Sequence, residues 1–156
     1  QIRAALSKFG GVKRRFTPVG EWGKVKIIDD YGHHPTEIRA TLATLKNVFK
    51  KPICVVFEPH RYSRTQQLWQ DFVDSFADAD EIFVGPIYAA SEAAIPGITS
   101  EKLVLALKTK IPNTTFLPNL DKMRELIIER QNKDMVFLTL GAGSISKKAK
   151  AIVQEL

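Results

Sequence analysis

The stretch "KVKIIDDYGHHPTEIRATLATLKNVFKKPICVVF", residues 24–57, contains an apolar run, a polar turn, an amphipathic stretch and a second apolar run. Residues 24–28 read as a strand. Pro35 falls in the first turn of a helix over 35–49, where its missing N–H costs nothing, and Ile38, Leu42, Leu45 and Phe49 recur along one face of it. "ICVVF" at 53–57 is the next strand. A strand, a helical crossover and a second strand make a βαβ unit, which places the two strands side by side or nearly so in a parallel sheet.

The alternation continues to the end of the chain without an internal repeat or a low-complexity segment. A helix is expected over "QQLWQDFVDSF" at 66–76 with Leu68, Phe72, Val73 and Phe76 inward, then a strand at 81–84, a helix at 100–110 and a strand at 114–117. A helix at 120–130, a strand at 135–140 and a closing helix over "SISKKAKAIVQEL" complete the pattern. The short apolar strands lack polar alternation, as a parallel sheet covered on both faces requires. The expected fold is α/β: a three-layer, Rossmann-like open sheet, mostly parallel, in one domain over residues 1–156. "RRFTPVGEWG", residues 14–23, adds an antiparallel edge strand.

Composition narrows the function classes. The chain has 156 residues, 44% of them hydrophobic, enough for one domain with a substantial core. Its longest apolar stretches fall far short of the roughly 20 residues of a membrane span, and no secretory core opens it, so a soluble protein with no membrane partner is expected. Cys54 stands alone inside "ICVVF", reading as a buried hydrophobe in a reducing compartment. The net charge of +6 is concentrated in Arg3, Lys8, Lys13, Arg14 and Arg15, and the remaining 18 basic and 17 acidic residues nearly cancel. No basic stripe interleaved with aromatics remains to suggest nucleic-acid binding. The start at Gln1 and the basic, helical "QIRAALSKFGGVKRRF" suggest a fragment of a longer polypeptide, with residues 1–15 as a linker.

In an open α/β sheet the ligand lies beyond the carboxyl ends of the strands. The unusual residues collect there, in "DDYGHHP" after the first parallel strand, "EPHRYSRT" after the second, "GPIYAASE" after the third and "GAGS" after the last. Turn chemistry alone calls for Gly, Asn, Asp and Ser, so the histidines, arginines and tyrosines are surplus to it. Either Asp29 or Asp30 caps the helix or closes a turn, or one of them holds a ligand. One of His33 and His34 packs or caps while the other faces the ligand, and His33 is favoured for the second role. Arg61 and Arg64, three apart, fall on one side if the helix has begun there and can clamp a carboxylate or phosphate; the alternative is a solvated surface pair. "LGAGSI" at 140–145 opens a helix where backbone N–H groups receive an anion, or else serves tight packing. "GEWGKV" at 20–25 has the wrong spacing for a triphosphate loop. A metal-dependent hydrolase built on Asp29, Asp30, His33, His34 and His60 is the rival enzymatic reading, without the spacing that would make it specific.

These residues also carry a family likeness. Through "GVKRRF", "DDYGHHPTEI", "PHRYSRT", "IYAASE" and "LGAGSI", in that order from about Ile2 to the end, the chain resembles the Mur ligases of bacterial cell-wall synthesis. "DDYGHHPTEI" alone would also fit the branch that recycles murein tripeptide, but that branch usually lacks "HRYSRT", so the second motif selects the branch that adds alanine.

The resemblance implies a cytoplasmic, three-domain bacterial enzyme that joins L-alanine to the lactyl carboxylate of UDP-N-acetylmuramate, using ATP and Mg2+ and an acyl-phosphate intermediate. It implies that this chain is the C-terminal domain, catalytically silent alone, closing over a central domain that carries the glycine-rich loop, the catalytic lysine and the magnesium ligands, with the N-terminal domain as a further partner. By the same resemblance, Arg15 reaches the nucleotide and Asp30 holds its ribose. Tyr31, His33, Arg61 and Arg64 face the muramate and alanine portions, with His60 close by, and none of them is assigned as a general base. The chain departs from the family pattern at Glu58, where many members have Gln, and at Ser144, where Asp is common. The loop "SEAAIPGITSE" reads as a plausible variant of a variable segment.

Overall fold

The structure, a computed structural model, describes residues 15–156. The basic opening segment through Arg14, with its expected helix and linker, lies outside them. Strands β1 (Thr17–Trp22), β2 (Val25–Asp30), β3 (Ile53–Phe57), β4 (Glu81–Val84), β5 (Thr114–Phe116) and β6 (Met135–Leu140) form one sheet in the order β1-β2-β6-β3-β4-β5. β1 is antiparallel to β2, and every other pairing is parallel. The edge strand expected around residues 14–23 is therefore present. It joins β2 through a tight turn in which Gly23 takes φ 58, and a bulge beside Pro18 disturbs its register, as suits a proline-bearing edge.

Side chains on the inner strands alternate between two cores. Ile53, Val55 and Phe57 of β3 and Val136, Leu138 and Leu140 of β6 pack on one face, against Ile38, Leu42 and Leu45 of helix α1 (Pro35–Phe49). Helices α2 (Tyr62–Gln67), α3 (Trp69–Val73) and α4 (Ser100–Lys108) follow in sequence, and the same core takes Phe72 and Val73 from α3 and Leu103 and Leu107 from α4. Cys54, Val56 and Phe137 face the other way, with Met123 and Ile127 of α5 (Met123–Glu129) and Ile145 and Ile152 of α6 (Ile145–Glu155). The two-residue period of an extended strand covered on both faces accounts for the uninterrupted apolar runs.

Some boundaries differ from expectation. The strand expected to end at residue 28 continues through Asp30, because Asp29 and Asp30 pair with Thr139 and Leu140 of β6. The single helix expected over 66–76 starts earlier and is split at Leu68 into α2 and α3, and Phe76 packs beyond it. The early start rests on the Arg61 carbonyl, which accepts both the Thr65 amide at 3.1 Å and its hydroxyl at 2.8 Å. The helices expected at 100–110 and 120–130 end sooner, the latter beginning as a short 3-10 turn at Leu120–Lys122.

The strand order positions the site. β6 lies between β2 and β3, with α1 leaving β2 on one face and α6 leaving β6 on the other. Loops that part to opposite faces open a crevice at the carboxyl edge, where this fold places ligands.

Candidate functional site

Three strand exits meet at this edge. Beyond β2, the rings of Tyr31 and His33 pack edge to face at 5.1 Å. His33 lies 5.9 Å, centroid to centroid, from His60 beyond β3, and His60 stacks at 5.4 Å on Tyr88 beyond β4. Arg64, in the first turn of α2, donates to Nδ1 of His60 at 3.1 Å and to its carbonyl at 3.2 Å. Arg61 immediately precedes α2, its guanidinium 3.9 Å from Glu92. Tyr31, His33, His60, Arg61 and Arg64 are thus brought to one edge from two loops. The two arginines do not form a free pair on one helical face. Arg61 stands in the cap position with φ 75 while Arg64 lies within the helix, braced on His60.

Hydrogen bonding assigns the imidazole protons. Nδ1 of His33 lies 3.0 Å from the Tyr31 carbonyl, which can only accept, so this nitrogen carries a proton and in the neutral ring Nε2 is the acceptor. Nδ1 of His60 faces a guanidinium, which can only donate, so in the neutral ring the proton sits on Nε2. The adjacent imidazoles therefore have opposite polarity. Burial lowers the pKa of His60, reinforced by Arg64, His33 and Arg61 and opposed by Glu92, which favours the neutral form.

His34 caps α1, its Nδ1 accepting the Thr36 amide at 3.3 Å, and Glu37 completes the box by accepting the His34 amide at 3.1 Å. One histidine caps while the other joins the cluster, and neither aspartate caps the helix. Asp30 closes the turn instead, accepting the Gly32 amide at 2.8 Å and the Thr41 hydroxyl at 3.2 Å on Oδ1, and the Phe16 amide at 2.9 Å on Oδ2. Asp29, on the opposite face, accepts from Thr139 at 2.8 Å and Ser146 at 2.6 Å. Both are fully buried.

A cavity of about 290 Å³ opens beside this turn, lined by Arg15, Phe16, Asp30, Thr36, Glu37 and Thr41 among others. Arg15 donates to Glu37 at 2.8 Å. Burial works to raise the pKa of Glu37, but bonds from the His33 amide, Arg15 and the His34 amide prevail and hold it below the usual range. Glu37 therefore joins the cavity to the histidine turn.

Placement decides two alternatives that the sequence left open. Asp29, Asp30, His33, His34 and His60 diverge into a sheet-to-helix bond, a turn, a cap and a ring cluster. Among the described residues no group of three or more His, Cys, Asp or Glu side chains is placed to hold a metal ion, so the hydrolase reading has no site there. The helix start at "LGAGSI" already holds an anion, because the buried Glu58 carboxylate accepts the Ile145 amide at 2.9 Å and the Ser144 hydroxyl at 2.7 Å. Close packing also governs Gly143, where a Cβ would come within 2.6 Å of the Tyr88 ring and 2.7 Å of Glu58. Tyr88, Glu92 and Glu58 escaped notice as site-building residues because each acts on a partner distant in sequence. The only available signal was their place in the strand exits. No helix among the described residues is long and apolar enough to cross a membrane.

Comparison with known proteins places this geometry among relatives. Residues 14–143 match the family described as Mur ligase, glutamate ligase domain. The chain is 45% identical over 156 residues to the UDP-N-acetylmuramate–L-alanine ligase of Rickettsia felis, covering 97% of this chain and 33% of that protein. The crystal structure of the UDP-N-acetylmuramate–alanine ligase of Thermotoga maritima is similar with a TM-score of 0.76 and 31% identity, over 97% of this chain and 32% of that one. A murein peptide ligase of Psychrobacter arcticus shares the fold, with a TM-score of 0.70 at 19% identity, over 97% and 31% of the two chains. The chain spans about a third of the length of the relatives it matches.

Proposed function

The chain belongs to the Mur ligase family, as its glutamate ligase domain, and on that premise we propose that it is the C-terminal domain of an ATP-dependent ligase joining L-alanine to UDP-N-acetylmuramate in the bacterial cytoplasm. The observation that carries the reading is the convergence of Arg61, Arg64, His60 and His33 from two strand exits onto one edge. Among the solved structures its likeness to an alanine ligase exceeds its likeness to the murein peptide ligase, at 31% against 19% identity, which supports alanine addition over tripeptide recycling.

In this reading ATP phosphorylates the lactyl carboxylate, and the alanine amine then displaces phosphate from the acyl phosphate. Arg61 and Arg64 attract the alanine carboxylate and offset negative charge on the acyl phosphate and the tetrahedral intermediate. Tyr31 and His33 orient substrate groups by hydrogen bonding. The cavity beside α1 takes the nucleotide, with Arg15 at its mouth. A ribose hydroxyl engages Oδ2 of Asp30 by replacing the Phe16 amide that now occupies it. Magnesium and the triphosphate would be held by a central domain of the whole enzyme, outside the part described. Closure of this domain over that one excludes water from the acyl phosphate.

The test is phosphate release dependent on ATP, L-alanine and UDP-N-acetylmuramate, measured on this chain and on the full-length protein. Activity in the full-length protein with silence in the chain is expected. Silence in both would end the assignment, and turnover by the chain alone would relocate the catalytic machinery.

A further inference from the structure

Three residues other than glycine take positive φ where the β3 and β4 exits meet: Arg61 (φ 75), Ala90 (φ 49) and Ser91 (φ 70). With ψ 137, Arg61 lies close to a region that crowding at Cβ leaves almost wholly to glycine. Such a conformation persists only where its surroundings over-determine it.

The surroundings here come from the loop after β4. The Arg61 amide donates to the Tyr88 carbonyl at 2.8 Å, and the Tyr88 amide to the Pro59 carbonyl at 2.8 Å. The His60 and Tyr88 rings stack beside this bridge. The left-handed turn at Ala90 and Ser91 then returns the chain so that Glu92 meets the start of α2. Its Oε2 accepts the Ser63 amide at 3.0 Å and its Oε1 the Ser63 hydroxyl at 2.6 Å, with the Arg61 guanidinium 3.9 Å from Oε1. Arg61 itself gives α2 no side-chain cap, so the cap is supplied from 29 residues away. The Ser63 bonds, ahead of Arg61, hold the Glu92 carboxyl below its usual pKa, so it remains an anion at neutral pH.

We propose that Glu92 is a positioning residue for Arg61. It ties the β4 exit to the first turn of α2 and holds the strained turn that fixes where the Arg61 guanidinium sits. The assignment rests on the ligase reading only for what Arg61 then does to substrate.

In the full-length ligase, Glu92→Ala is expected to raise KM for L-alanine by tenfold or more while KM for ATP stays within about twofold, since misplacing a positioned group by about 1 Å costs up to a hundredfold. Glu92→Gln, which keeps an oxygen for Ser63, is expected to recover to within about threefold of wild type. In parallel, amide hydrogen exchange on this chain should speed up by about tenfold or more at Arg61, Ser63 and Tyr88 in Glu92→Ala, with Val55 and Leu138 unchanged. Faster exchange with an unmoved KM would reduce Glu92 to a helix cap and overturn the proposal, and unchanged exchange would remove the tie itself. An inactive wild-type full-length protein would sink the ligase reading instead, and the exchange data would still decide whether Glu92 holds Arg61.

Discussion

Ser144 donates its hydroxyl to Glu58 across 2.7 Å, so two positions at which the family resemblance leads one to expect other residues, Asp at 144 and Gln at 58, are in contact. Against that expectation, the acid and its neutral partner have changed places. The carboxylate still lies at the start of α6, where unpaired N–H groups and the helix dipole favour negative charge. Ser144 provides no cap of its own to the helix, so Glu58, from the end of β3, supplies it.

Exchanging the pair tests this arrangement. Ser144→Asp alone sets a second carboxylate, on an exposed position, against the buried Glu58 carboxylate and is expected to cost about 1–3 kcal/mol. The folded pair would retain a proton that the unfolded chain releases, so the loss should deepen as pH rises. Adding Glu58→Gln should restore stability to within about 0.5 kcal/mol, because one acid and one neutral partner are again present. Urea denaturation at pH 5 and pH 8 measures both effects. A double variant as weak as the single one would show that the helix start requires Glu58 itself.

This pair also shows how far the sequence was legible. Apolar runs located every parallel strand, and their polar exits located the site edge, because burial on both faces and turn chemistry act over a few residues. The division of roles between His33 and His34 was legible, but the strained turn at Arg61 and the Glu92 tie were not. Gly would ordinarily signal a positive φ, and here arginine, alanine and serine take it under tertiary constraint. Glu58 and Ser144 each looked like an isolated departure, since their contact spans 86 residues.

Stability should depend on His60 in mildly acidic solution. Its folded pKa lies below the ordinary 6.5, through burial and then Arg64. Below 6.5 the unfolded chain takes up this proton before the folded one does. The contribution is therefore whole above 6.5 and is lost as pH falls toward the lowered folded value. His60→Gln should lose less stability than wild type between pH 7.5 and pH 5.5. Parallel losses would mean that His60 titrates alike in both states.

At the opposite end of the sheet, Arg130 makes a paired contact with Glu81, at 3.0 and 2.7 Å, and lies 5.2 Å over the Phe83 ring. Glu81 remains partly exposed, so Arg130→Met should cost about 1–3 kcal/mol, less than breaking a fully buried pair. Cys54 lies in the same region, its thiol pKa pushed well up by burial and then by Glu81. It should resist alkylation in the native chain and react at the rate of opening, faster in Arg130→Met. Native labelling at the rate of a free thiol would contradict the packing of β3.

Arg64 joins the two halves of the proposed chemistry, since it both presents a guanidinium and fixes the His60 ring through Nδ1. Arg64→Ala in the full-length ligase should lower kcat/KM by about tenfold or more, the order expected for a positioned charge. The same substitution should raise the His60 pKa toward 6.5, because a neighbouring cation is gone, without reaching it, because burial is the larger cause. Activity assays and a proton NMR titration of the imidazole read the two effects separately. A shifted titration with an unchanged rate would leave Arg64 as a brace for His60 and remove it from substrate binding. A lost rate with an unshifted titration would mean that the contact with His60 does not persist in solution.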